Sequence, residues 1–107
     1  MKWNKSIIGE IGFIRTDYKL SYKDSIKKIP KNARIMKGWE FVKLIDENYE
    51  AFDNFPKGED YFCYGNKDYF RWGALYVDRL DLRSRLYGYY FLGNAYYRSV
   101  GVLVVKK

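Results

Sequence analysis

Histidine is absent from the chain, and cysteine occurs once, at Cys63. Without an imidazole there is no Ser-His-Asp or Cys-His catalysis, no histidine metal site and no ordinary proton shuttle near neutral pH. A lone cysteine closes no intramolecular disulfide and builds no multi-cysteine zinc site. Cys63 is therefore read as a small buried apolar residue. Neither GxxxxGK(S/T) nor GxGxxG occurs, so the common phosphate-binding loops are missing too. No apolar run approaches the roughly 18 residues of a membrane span. The opening MKWNKSIIGE offers only Ile7-Ile8, where a secretory signal needs roughly 7–15 apolar residues. These absences predict a protein without catalysis, cofactor, metal or membrane partner. They place it in the cytoplasm, or in a virion assembled there.

What is present is aromatic and basic. Of 107 residues, 48% are apolar and 21% aromatic, which excludes disorder and supplies one domain over 1–107 with a core of its own. The wealth of Lys, Ile, Tyr and Asn fits an AT-rich genome, archaeal or viral. Net charge is +7, and it is uneven. Residues 19–37 hold seven basic and one acidic residue, 38–60 two basic and seven acidic, and 79–107 six basic and one acidic. Alternating blocks of this kind suggest separate solvated faces. A nucleic-acid partner requires the two basic blocks to merge into one stripe.

Patterning predicts α+β. GEIGFIRTDY reads as an early strand within residues 7–18, with glycines at its entrance. Ser21 is a candidate N-cap for a short helix with Tyr22, Ile26 and Ile29 on one face, ended by Pro30. After a loop PKNAR, the stretch GWEFVKLIDENYEAF repeats Phe41, Val42, Ile45, Tyr49 and Phe52 at helical spacing. Asp46, Glu47, Glu50 and Asp53 form its solvated face rather than a cation site, since hard cations need converging loop ligands. From Asp60 the period becomes that of strands: Asp60 to Gly65, Asp68 to Asp78, Leu86 to Leu92 and Tyr96 to Val105. Gly65-Asn66 and Gly93-Asn94 are turn candidates. The last strand is apolar on both faces, Val100, Val102 and Val104 on one and Leu103 and Val105 on the other, which predicts a central position.

Two stretches resemble a known family. Arg34-Ile35-Met36-Lys37-Gly38-Trp39-Glu40-Phe41-Val42-Lys43-Leu44 resembles a segment of formylglycine-generating (sulfatase-modifying factor) domains, which have a C-type-lectin-like fold. Arg34, Ile35, Glu40, Phe41 and Leu44 take the matching positions. Ser99-Val100-Gly101-Val102-Leu103-Val104-Val105 resembles their closing strand, and SYKDSIKKIPKNARI their first helix and the turn after it. The resemblance covers about half the chain. Met36 stands where the family has proline, and Leu103 where it has arginine. The resemblance implies paired first and last strands, two helices packed on a central sheet, several antiparallel strands, and long binding loops. The family's chemistry does not carry over. Its copper enzymes use two cysteines, and its calcium-dependent lectins use Glu-Pro-Asn or Gln-Pro-Asp with Trp-Asn-Asp. None of these is present.

The chain carries 12 Tyr, 7 Phe and 3 Trp, more rings than a core of this size hides, and large exposed aromatic patches mark partners. In YFCYGNKDYFRW (residues 61–72), alternation turns Tyr61 and Cys63 one way and Phe62 and Tyr64 the other. Phe62, Phe70 and Trp72 are the core candidates. Tyr64, Tyr69 and Arg71, with Tyr89, Asn94, Tyr97 and Arg98, are the candidate ligand contacts, because Tyr and Arg give large contact area with polar tips. They suggest a non-enzymatic recognition module for a protein or glycan. In the alternative reading, a small basic nucleic-acid-binding protein, Arg79, Arg83 and Arg85 contact phosphates. A structural subunit of a virus-like particle is the third reading, and a homo-oligomer is compatible with each.

Overall fold

The computed structural model describes residues 1–16, 26–56, 59–63, 65, 73–78, 86–91 and 100–107; for 16, 60, 73–78, 86–91 and 100 it describes the backbone alone. These residues form a seven-stranded sheet and one α-helix, an α+β arrangement. The strands are β1 (Asn4–Ser6), β2 (Gly9–Thr16), β3 (Ala33–Ile35), β4 (Asp60–Cys63), β5 (Gly73–Asp78), β6 (Leu86–Phe91) and β7 (Val100–Lys106). The helix, α1 (Gly38–Glu47), runs into a 3-10 turn at Tyr49–Phe52.

β7 organises the sheet. On one edge it pairs antiparallel with β2, from Thr16↔Val100 to Ile11↔Val105. This is the expected pairing of the first long strand with the last. Its other edge is shared. β4 runs parallel along its first half, Asp60↔Val100 to Phe62↔Val102, and β3 antiparallel along its second, Ile35↔Val104 to Ala33↔Lys106. The sheet is therefore mixed at β4–β7, not wholly antiparallel. Flanked on both edges, β7 is buried on both faces: Val102, Leu103, Val104 and Val105 are all buried. Strand β3 corrects the expected loop PKNAR, because Ala33 to Ile35 complete the edge that β4 leaves open.

Residues 4–6 form a further strand not anticipated from the sequence. The turn Ile7–Ile8 joins it to β2, and Gly9 takes φ +114° there, a conformation that glycine adopts without a Cβ clash.

The core lies between the sheet and α1. Phe41, Leu44 and Ile45 face inward, as their spacing requires. Val42 does not: it is exposed, against the sequence reading. One residue past Phe41 on a 100° wheel, it points away from the sheet. The expected single helix over 38–52 also breaks at Asn48. Its Oδ1 accepts the Ile7 N–H at 2.9 Å and its Nδ2 donates to Glu50 at 2.6 Å. Asparagine side chains compete with helical backbone bonds in this way, and here the competition ties the β1–β2 turn to the helix end. Asp46, Glu47, Glu50 and Asp53 are exposed, a solvated face as expected.

Six rings link the layers. Phe41 and Tyr49 approach Phe52, Phe52 approaches Phe55, and Phe55, Phe13 and Tyr61 stand mutually 5.0 Å apart. Tilted and edge contacts of this type contribute about 0.5–1.5 kcal/mol per pair beyond area burial. Tyr61 lies over Gly101, its neighbour in β7, and donates its hydroxyl to the Pro56 carbonyl at 2.6 Å. Tyr61, Phe62 and Cys63 are all buried, so β4, like β7, has two covered faces. Of the expected helix before Pro30, Ile26 and Lys27 are helical, Lys28 and Ile29 form a turn and a bend, and residues 21–25 lie outside the described residues.

Candidate functional site

Most of the sequence-derived contacts lie outside the described residues: Tyr64, Tyr69, Arg71, Asn94, Tyr97 and Arg98, the core candidates Phe70 and Trp72, and the alternative set Arg79, Arg83 and Arg85. Tyr89 is placed by its backbone, in β6 opposite Leu75 of β5. The strands do fix where the chain leaves and re-enters the sheet. Cys63 closes β4 next to Leu75, and Gly73 opens β5 opposite Phe91, the last residue of β6. These three points share one end of the sheet. Asp60, Asp78, Leu86 and Val100 mark the other end, joined in register Asp60↔Asp78, Asp78↔Leu86 and Asp60↔Val100. In chain order, Tyr64, Tyr69 and Arg71 fall between β4 and β5, Arg79, Arg83 and Arg85 between β5 and β6, and Asn94, Tyr97 and Arg98 between β6 and β7.

The first end adjoins the start of α1. A Cβ on Gly65 would overlap the Met36 carbonyl oxygen and stand 2.8 Å from the Lys37 Cα. Only glycine permits so close an approach of two backbones. Met36 is held from three sides. Its side chain is buried, its N–H donates to the Leu103 carbonyl at 3.2 Å, and its carbonyl accepts from Cys63 Sγ at 3.3 Å. The proline that the resembled family has here could not donate to Leu103.

Arg34 and Glu40 lock the entry to α1. Arg34 donates two parallel bonds to the Glu40 carboxylate, 2.7 and 2.9 Å, and the Lys37 N–H donates a third at 2.9 Å. Glu40 is only 2% exposed. Burial pushes its pKa up, but the Arg34 hydrogen bonds, the Lys37 N–H and the charges of Arg34 and Lys37 outweigh that and hold it below the ordinary carboxyl value. The same contact raises Arg34, against a smaller effect of burial. Lysine has no acceptor, so Lys37 cannot return the bond as a serine N-cap would. Arg34 completes the motif instead.

This lock presents Trp39. Its side chain is 62% exposed, beside exposed Val42 and Lys43 on the outer face of α1. Trp39 was not among the residues singled out as contacts. A helical wheel holds the signal: with Phe41, Leu44 and Ile45 inward, Trp39 must point out. Tryptophan is enriched among the residues that carry binding energy at protein interfaces. Among the described residues no three metal-ligating side chains converge, and no helix is long and apolar enough to cross a membrane. Comparison with family models, curated proteins and solved structures returns no match.

Proposed function

We propose that this chain is a non-enzymatic binding module on a C-type-lectin-like scaffold, recognising a protein or glycan at the sheet end where Cys63, Gly73 and Phe91 meet. The observation that carries this reading is the convergence of that end, through Gly65, on the start of α1, with Trp39 exposed beside it. The scaffold reading draws support from its own motif residues. Arg34 and Glu40, both at matching positions, bond to each other, and the matching closing strand pairs with the first long strand, β2. Tyr64, Tyr69 and Arg71 supply the contacts from the connection between β4 and β5. Tyr89, Asn94, Tyr97 and Arg98 extend them from β6 and the segment after it.

A glycan array and an affinity capture with the full chain test this. Of the alanine variants of Trp39, Tyr64, Tyr69, Arg71 and Tyr97, a few should each weaken the captured interaction by about 2 kcal/mol or more, with the others nearly neutral. Unaltered binding by all five variants refutes the assignment. So does turnover of a substrate that a single carboxylate substitution abolishes.

A further inference from the structure

Among the described residues, the exposed large apolar side chains are Met1, Ile7, Trp39 and Val42, and the last two share one element, α1. The helix turns Phe41, Leu44 and Ile45 inward. At about 100° per residue, its opposite side holds Trp39, Val42, Lys43, Asp46 and Glu47, and all five are exposed. Trp39 and Asp46, seven residues apart, fall within about 20° of one line along the helix. Val42 and Lys43 flank that line midway between them. The face is therefore graded, with an aromatic ring at its start, an ammonium at its middle and carboxylates at its end. Lys43, Asp46 and Glu47 form no ion pair among the described residues. Lysine preceding glutamate is the weaker of the two i,i+4 orientations, so the helix does little to neutralise its own charges. The Arg34–Glu40 bonds fix its entry, so little order is lost when a partner docks.

We infer that this face of α1 is the contact surface for a second copy of the chain, packed antiparallel across a two-fold axis that passes between Val42 and Lys43. A two-fold contact requires a self-complementary patch, and the pattern meets that requirement. Antiparallel pairing about this point sets Trp39 of each copy against Asp46 of the other, and Val42 of each against the aliphatic stem of Lys43. The indole N–H of Trp39 only donates and the Asp46 carboxylate only accepts, so the two suit each other. Lys43 lies one turn from both in the opposite helix, where its ammonium has a carboxylate and an aromatic face to meet. Parallel pairing would set carboxylate against carboxylate and ammonium against ammonium, which costs affinity. An anionic membrane is disfavoured too, because Asp46 and Glu47 share the face with Trp39. A helix of 10 residues is about 15 Å long, so the contact stands at the small end of interface sizes and the dimer is weak and reversible. Trp39 is shared with the ligand site proposed above, whereas Lys43 and Asp46 belong to this contact alone, so the two assignments fail separately.

Sedimentation equilibrium of the full chain, from about 10 μM to about 1 mM, tests the inference over the range where a small interface associates. The mean mass should rise from that of one chain toward that of two. W39A should weaken the association about thirtyfold. K43E and D46K each set like charges against one another and should weaken it about tenfold or more. An equimolar mixture of K43E and D46K should regain the association, because each variant offers the charge that the other lacks. K5A, in β1, should associate like the wild type. Thermal melting of each variant checks that the fold is kept, as expected for exposed positions. A wild type that stays monomeric across the whole range overturns the inference. So does an association that folded W39A, K43E and D46K all retain in full, or a mixture no more associated than its two components.

Discussion

Met36 donates its backbone N–H to the carbonyl of Leu103 at 3.2 Å, and both residues are fully buried. This bond carries the β3–β7 ladder one residue further and anchors the entrance of α1 on the central strand. Proline at 36 would remove the donor and strand a buried carbonyl, which costs about 1–3 kcal/mol beyond any change in packing. Leucine at 36 keeps the donor and most of the volume, at a cost under about 1.5 kcal/mol. Urea unfolding should rank wild type above M36L and M36L above M36P. Equal midpoints for M36L and M36P would show that the bond contributes nothing.

Phe41 and Val42 are neighbours in sequence with opposite environments, 1% and 47% exposed. F41A should destabilise the chain by about 3–5 kcal/mol, the usual cost of emptying a buried aromatic site. V42A should change stability by no more than about 0.5 kcal/mol. Chemical denaturation of the two variants side by side measures the contrast. Comparable losses would mean that the outward face of α1 is covered.

The Glu40 carboxyl titrates below its ordinary value when folded. A depressed carboxyl pKa adds stability that is fully present above the unfolded value and lost as pH falls through the folded one. E40Q should cost about 1–3 kcal/mol at neutral pH, the lower part of the range reflecting the partial exposure of Arg34. The difference between wild type and E40Q should stay constant between about pH 6 and 8 and shrink below about pH 4.5. Denaturation midpoints across that range supply the comparison, and a difference that grows on acidification contradicts the assignment.

Gly101 and Gly65 are both positions where a Cβ has no room. At Gly101 it would stand 2.9 Å from the Tyr61 Cε1 and 3.1 Å from a Phe13 ring carbon. At Gly65 it would meet backbone, which cannot swing aside. Overpacking costs about 1–3 kcal/mol where side chains can adjust. G101A should fall in that range and G65A at or above its top. Thermal melts will order them; a G65A protein as stable as wild type would mean that Gly65 does not rest on Met36 and Lys37.

Several features were legible because their signal is local. The repeat of Phe41, Val42, Ile45, Tyr49 and Phe52 requires a helix with one buried face, and the outward Val42 and the break at Asn48 escaped that reading. Valines alternating with Leu103 and Val105, apolar on both sides, required a strand with neighbours and cover, and β7 has both. Cys63 with no second cysteine pointed to burial, and it is buried.

Sequence alone determined the α+β class, the helix over its first three turns, the central place of the last strand, and the absence of histidine and multi-cysteine chemistry. These follow from composition and from periods of two or 3.6 residues, which each segment carries by itself. Tertiary structure decided which strands share an edge. Backbone N–H and C=O groups are alike in every residue, so nothing local tells β4 to run parallel to β7, or Ala33 to Ile35 to fill the rest of that edge. It decided that Asn48 bonds to Ile7 across 41 residues and so breaks a helix whose period continues. It decided that Gly65 packs against Met36 and Lys37 at the start of α1, and that Lys107 bonds to Asn32, next to Lys31. A basic residue carries no record of its distant neighbours; only the pairing of β3 with β7 set Lys31 close in the chain to the partner of Lys107.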